Sequence, residues 1–138
     1  MQEGSLKEYL VKVEEKLREL EPLITSSRLQ KEWRSSNRLV LRGVIAFIDG
    51  STLYFLEYIM ERKRKLKRIS YRFHYTGHEK ELIFRYDNAP HHPEVPTHPH
   101  HKHLPGNKVI SSREKSLVEV LDEIKTIITS SINWLSWR

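Results

Sequence analysis

From Arg38 onward the apolar residues stop recurring at helical spacing and alternate every second position, and this change of period limits what the chain can fold into. Leu39, Leu41, Gly43, Ile45 and Phe47 fall on one side of a strand, and Asp49-Gly50 follows as a hairpin turn. A partner strand spans 52–60. A third, over 66–76, sets Ile69, Tyr71, Phe73 and Tyr75 against Arg68, Ser70, Arg72 and His74. Thr76-Gly77-His78-Glu79 closes the next hairpin, and 81–87 sets Leu82, Phe84 and Tyr86 against Ile83, Arg85 and Asp87. The pattern predicts an antiparallel four-stranded meander over 38–87.

Helical signals flank the meander. Ser5 with Glu8 matches a capping box, and Leu6, Leu10, Val13, Leu17 and Leu20 repeat at helical spacing until Pro22. Leu29 and Trp33 are also helically spaced, between serine-rich breaks, so 1–37 reads as a helical N-terminal part with a second short helix over 22–37. Ser111 with Glu114 offers another capping box before Leu117, Val120, Leu121, Ile124, Ile127 and Ile128, a C-terminal helix over 111–132. Between them, 88–108 holds five of the six prolines, which fix φ and remove backbone donors, and reads as an extended His/Pro-rich loop. The 138 residues suffice for one domain, predicted as α+β with the N-terminal and C-terminal helices packed on one side of the sheet.

The formal net charge of +6 favours anionic partners. Residues 61–72 carry seven basic residues and one acid, which accounts for the whole excess of 24 Lys plus Arg over 18 Asp plus Glu. Arg62, Arg64, Lys65, Arg68 and Arg72 in this run are candidates to track a phosphate backbone; a solvated turn and a docking surface for an acidic partner are the alternatives. The absence of cysteine excludes disulfide scaffolds, thiolate zinc sites and cysteine nucleophiles. With no signal sequence, and no run near the roughly 20 apolar residues of a membrane span, a cytoplasmic protein without a membrane partner is expected.

Six of the eight histidines lie in 91–103. Imidazole is an acid–base catalyst near neutral pH and a common metal ligand, so the segment supports two chemistries. In metal-free RNA cleavage one histidine deprotonates the ribose 2′-hydroxyl, a second protonates the leaving 5′-oxygen, and a cation stabilises the phosphorane. His91, His92, His101 and His103 are candidates for the first two roles, and Arg85 and Lys102 for the third. No cofactor is called for; a divalent metal is the alternative, held by Asp87 with His91, His101 and His103, or by the pair His98 and His100, without any established zinc spacing. Glu57 breaks an apolar strand face and reads either as an inward carboxylate orienting a loop His or Arg, or as an edge-strand charge. His74 shares a face with Arg72 and reads as a surface histidine within reach of the site. A solvated His/Pro linker is the bland alternative, opposed by the irregular spacing and by the adjoining Arg85 and Asp87.

The order Asp49-Gly50-Ser51, Glu57, Tyr71-x-Phe73-His74, Phe84-Arg85-Tyr86-Asp87-Asn88-Ala89-Pro90-His91-His92 and Pro99-His100-His101-Lys102-His103 resembles the TumE-like family of prokaryotic toxin–antitoxin toxins. The resemblance runs from about residue 38 to the final helix. It implies the toxin half of a two-gene type II module, a small DNA-binding antitoxin as partner, and RNA as a target. Carried over by motif, it also implies functional roles for Glu57, Arg85, Asp87, Asn88, His91, His92, His100, His101 and His103, with Asn88 and His100 expected on the substrate beside Lys102. The expectation is a ribonuclease using loop histidines as acid and base. Its rivals are a metal-dependent nuclease or hydrolase and a non-catalytic nucleic-acid or protein-binding module; a homodimer is compatible with each.

Overall fold

A computed structural model describes residues 2–90 and 98–136. A two-residue strand, β1 (Gln2–Glu3), leads into helix α1 (Leu6–Glu19), capped as its sequence predicts: Ser5 Oγ accepts from Glu8 N–H at 3.1 Å and Glu8 returns to the Ser5 N–H. Seven strands follow: β2 (Ile24–Ser35), β3 (Arg38–Phe47), β4 (Thr52–Arg62), β5 (Lys65–Thr76), β6 (Leu82–Asp87), β7 (His101–Leu104) and β8 (Lys108–Ser111), before helix α2 (Leu117–Ser136). They pair antiparallel in chain order from β2 to β8, with β1 as an eighth strand beside the start of β5. The α+β class and the two helices match the expectation, but the predicted four-stranded meander is only the middle of a larger sheet.

Three strands were hidden from the hydropathy pattern for physical reasons. Residues 24–35 form β2 rather than a helix; Leu29 and Trp33 stand four apart, a spacing that satisfies both the helical period and the two-residue period. β2 pairs only with β3 and is largely exposed on both faces, so no buried side imposes an alternation on its sequence. The segment predicted as loop holds β7 and the turn of the hairpin β7–β8, made by Pro105-Gly106-Asn107 with φ of 79° at Gly106 and 61° at Asn107, and β8 extends past its end. α2 begins at Leu117, not 111: its capping box is Ser116 with Glu119, whose N–H donates to Ser116 Oγ at 3.2 Å.

One face of the sheet carries Leu41, Phe55, Phe73, Phe84 and Tyr86, which share a buried core with Tyr9 and Val13 of α1 and with Leu117, Leu121, Ile124 and Ile128 of α2. Both helices lie on that side. Among the described residues the opposite face carries no helix. Among the described residues no helix is long and apolar enough to cross a membrane. One irregularity changes which side a key residue occupies. Tyr58 pairs with Ser70 but Ile59 with Arg68, so β5 carries one extra residue, a β-bulge at Ile69. The bulge turns Arg68 from the open face, where strict alternation predicts it, into the core, where it is 4% exposed.

Candidate functional site

Sheet register builds the site. On the open face His74 pairs with Arg85, and Arg85 with His103, a row across β5, β6 and β7. In the next row Arg72 pairs with Asp87, and Asp87 with His101. Six polar side chains therefore form a grid two residues deep and three strands wide. The carboxylate of Asp87 is its hub, 5% exposed: Oδ1 lies 2.6 Å from His101 Nε2, and Oδ2 lies 3.1 Å from Arg85 Nε and 3.4 Å from His103 Nε2. The Ala89 N–H also donates to Oδ1 at 3.2 Å.

Hydrogen-bond chemistry separates the two histidines. His101 Nδ1 faces the Pro99 carbonyl at 2.8 Å, an acceptor, so that nitrogen carries hydrogen and fixes the ring behind Asp87. His103 Nε2 stands 3.2 Å from Arg85 Nη2; guanidinium only donates, so His103 accepts there. The side chain of His101 is 1% exposed and that of His103 14%, so His101 acts through Asp87 while His103 and Arg85 face outward. Beside them Arg72, Arg85, Asp87, Asn88 and Pro90 line a hollow of about 350 Å³.

His74 is the member whose weight the sequence understates. Its burial, followed by the charges of Arg85 and Arg72, holds its pKa below the ordinary histidine value of 6.5. The ring is therefore neutral at pH 7. Because the folded value lies below the unfolded one, the associated stability is complete above pH 6.5 and is lost as pH falls toward the folded value. In an NMR titration the His74 ring protons should move with a midpoint below 6.5, and Arg85→Met should shift that midpoint upward; a midpoint unchanged by that substitution would contradict the charge coupling.

Several predicted site residues stand elsewhere. Glu57 points inward, as one reading expected, but on the helix side, where Tyr9 Oη donates to it at 2.6 and 2.8 Å, Arg68 Nε at 2.6 Å and Leu117 N–H at 3.3 Å. It orients Arg68 rather than any loop residue. Burial pushes its carboxyl above the usual range, against the pull of those same donors. Lys102 alternates with His101 and His103 and so faces the helices, over the Phe84 and Tyr86 rings and 3.4 Å from Glu123. Asn88 is engaged with the backbone of β5, accepting from Tyr71 N–H at 2.9 Å and donating to Ile69 O at 3.1 Å. His100 stacks on Tyr71, with Nδ1 2.9 Å from Tyr71 Oη.

The basic run does not act as one patch either. Arg62, Arg64 and Lys65 sit at the β4–β5 hairpin, whose two turn residues Lys63 and Arg64 both have positive φ, Arg68 is buried, and Arg72 alone joins the open-face grid. His91 and His92 lie outside the described residues. A larger hollow, about 520 Å³, opens on the helix side between Gln2, Lys12, Arg113 and Glu114. Among the described residues it has no histidine in its lining, and four of its charged groups pair with each other: Arg68 with Glu114 at 3.4 Å and Arg113 with Glu119 at 2.6 Å.

With this geometry in place, comparison with known proteins is decisive at one level. A family model described as Toxin TumE matches residues 13–131, most of the chain. The chain belongs to the Toxin TumE family. No curated protein and no solved structure matches it. The TumE match runs from the middle of α1 into α2, so the Asp87 grid falls within it, as do Glu57, Arg68 and Leu117 of the buried network, while Tyr9 lies just before it. Membership marks the protein as a toxin and carries with it an antitoxin partner.

Proposed function

We propose that this TumE-family toxin acts on RNA as a metal-independent ribonuclease centred on the row His74, Arg85 and His103. The observation that supports it is the register: two imidazoles flank one guanidinium on three neighbouring strands of the open face, beside a carboxylate that contacts both Arg85 and His103. Neighbouring strands are about 4.8 Å apart, so a phosphodiester over Arg85 reaches a histidine on either side. His74, neutral at pH 7, takes the proton from the ribose 2′-hydroxyl. The 2′-oxygen bonds to phosphorus, the bond from phosphorus to the 5′-oxygen breaks, and His103 supplies the proton to that oxygen. Arg85 and Arg72 neutralise the charge on the phosphorane. In the free protein Arg85 holds His103; a phosphate that draws Arg85 away leaves His103 beside Asp87, whose charge stabilises the imidazolium.

A second reading has its own observation. The ligand atoms of Asp87, His101 and His103 all lie within 4.8 Å of one another, and the Pro99 carbonyl orients His101 as second partners orient metal-bound imidazoles. A divalent ion held there would activate water for hydrolysis. Chelation separates the two: cleavage of RNA by purified protein is expected to persist in EDTA. Loss in EDTA that a divalent ion restores would replace the first scheme with the second, and absence of cleavage under either condition would leave a binding module.

A further inference from the structure

We infer that the open sheet face beyond the proposed centre is a binding track for single-stranded RNA, with Arg28, Arg42 and Arg72 on phosphates and Tyr54 under a base. The inference rests on the ribonuclease reading for the identity of its ligand. Apart from Arg72, which joins it to the centre, the track is carried by residues outside both the histidine loop and the basic run.

Both rows of the centre continue across the sheet. One runs His103, Arg85, His74, Tyr54, Val44 and Arg28; the other runs His101, Asp87, Arg72, Leu56, Arg42 and Gln30. The five spacings from β2 to β7 span about 24 Å. Arg28, Gln30, Arg42, Tyr54, Leu56 and Arg72 line a second hollow of about 290 Å³, which shares Leu56 and Arg72 with the hollow at Asp87, so the two form one path.

Charge and surface chemistry choose the occupant. Arg28 and Arg72 are exposed and form no side-chain ion pair among the described residues, although Arg72 stands opposite Asp87 in the register; Arg42 has only Glu32 at 3.8 Å. Between them Tyr54 is 44% exposed and Val44 39%. The Tyr54 ring leans on His74, with centroids 6.2 Å apart, which places a stacking surface next to the proposed base. Guanidiniums for phosphates and an exposed ring for a base suit an unpaired strand, because a duplex keeps its base faces stacked away from protein. Gly43 lies at the floor of this hollow: a Cβ there would come 2.0 Å from the Arg28 carbonyl, so the close approach of β2 to β3 requires glycine.

The test is fluorescence anisotropy of a short single-stranded RNA whose 2′-hydroxyls are methylated, which blocks attack and makes binding independent of cleavage. Arg28→Ala with Arg42→Ala should weaken binding and lower the log–log salt slope by about 1.4, or about 0.7 per phosphate contact. Tyr54→Ala should cost at least about fivefold in affinity with the slope unchanged, and Tyr54→Phe should restore it. All three side chains are exposed, and circular dichroism and thermal melting should match wild type. Affinity and slope equal to wild type in these variants would overturn the track. So would equal losses on duplex RNA, or loss of antitoxin binding with RNA binding intact. Binding through these residues without any cleavage of unmodified RNA would leave the track standing and defeat the ribonuclease reading; cleavage untouched by the three substitutions would do the reverse.

Discussion

Removing the His103 ring is expected to lower RNA cleavage at least about a hundredfold, the usual contribution of a positioned acid or base, and Asp87→Asn should do nearly as much without touching the ring. Asp87 contacts both His103 and Arg85, so an amide of the same shape removes the charge that organises the outward-facing pair. The loss should appear in kcat with little change in KM, because Arg28, Arg42 and Tyr54 continue to bind the strand. A purely structural role for Asp87 would instead lower the folded fraction, read by circular dichroism, and leave the rate per folded molecule intact.

Glu57→Ala should have the largest effect on stability and almost none on chemistry. Glu57 is fully buried and joins three elements: Tyr9 of α1, Arg68 of β5 and the first N–H of α2. Alanine takes from the buried guanidinium its closest carboxylate, leaving it Glu114 at 3.4 Å and Gln2 at 3.0 Å, and takes from the Tyr9 hydroxyl its acceptor. Breaking a buried pair from one side costs about 3–5 kcal/mol, which lowers the melting temperature by on the order of 10 °C or more. Denaturant unfolding should show the loss as a lower midpoint at unchanged slope. Adding Arg68→Met should recover part of it, since no charge is then left desolvated in the core, although the space of the Glu57 carboxyl stays unfilled. Cleavage per folded molecule should equal wild type, because Glu57 lies on the helix side of the sheet; a large fall in that rate would place Glu57 in the chemistry after all.

What could be read from the sequence depended on whether burial imposed a pattern. β3 to β6 each bury one side, and their alternation shows; the Ser5–Glu8 cap is local and also shows. β2 has no well-buried side, and β7 alternates His101 and His103 with Lys102 and Leu104, so polarity barely changes along most of it. Pro105-Gly106-Asn107 was the available signal for that hairpin. At the site, Arg85, Asp87, His101 and His103 were recognisable from chemistry alone. His74, Arg28 and Arg42 needed register, because only cross-strand pairing places them in the same rows. Lys102, a candidate for the phosphate by its charge, faces the helices because β7 alternates, and Arg68 turns inward because a one-residue bulge inverts the side predicted by strict alternation.

The chemistry of the cut ends tests the central claim most directly. If His74 and His103 work as base and acid on a 2′-hydroxyl attack, RNA treated with the purified protein in EDTA ends in 2′,3′-cyclic phosphate and 5′-hydroxyl, and the His103→Ala protein yields neither. Ends bearing 5′-phosphate, or identical ends from the His103→Ala protein, would contradict it.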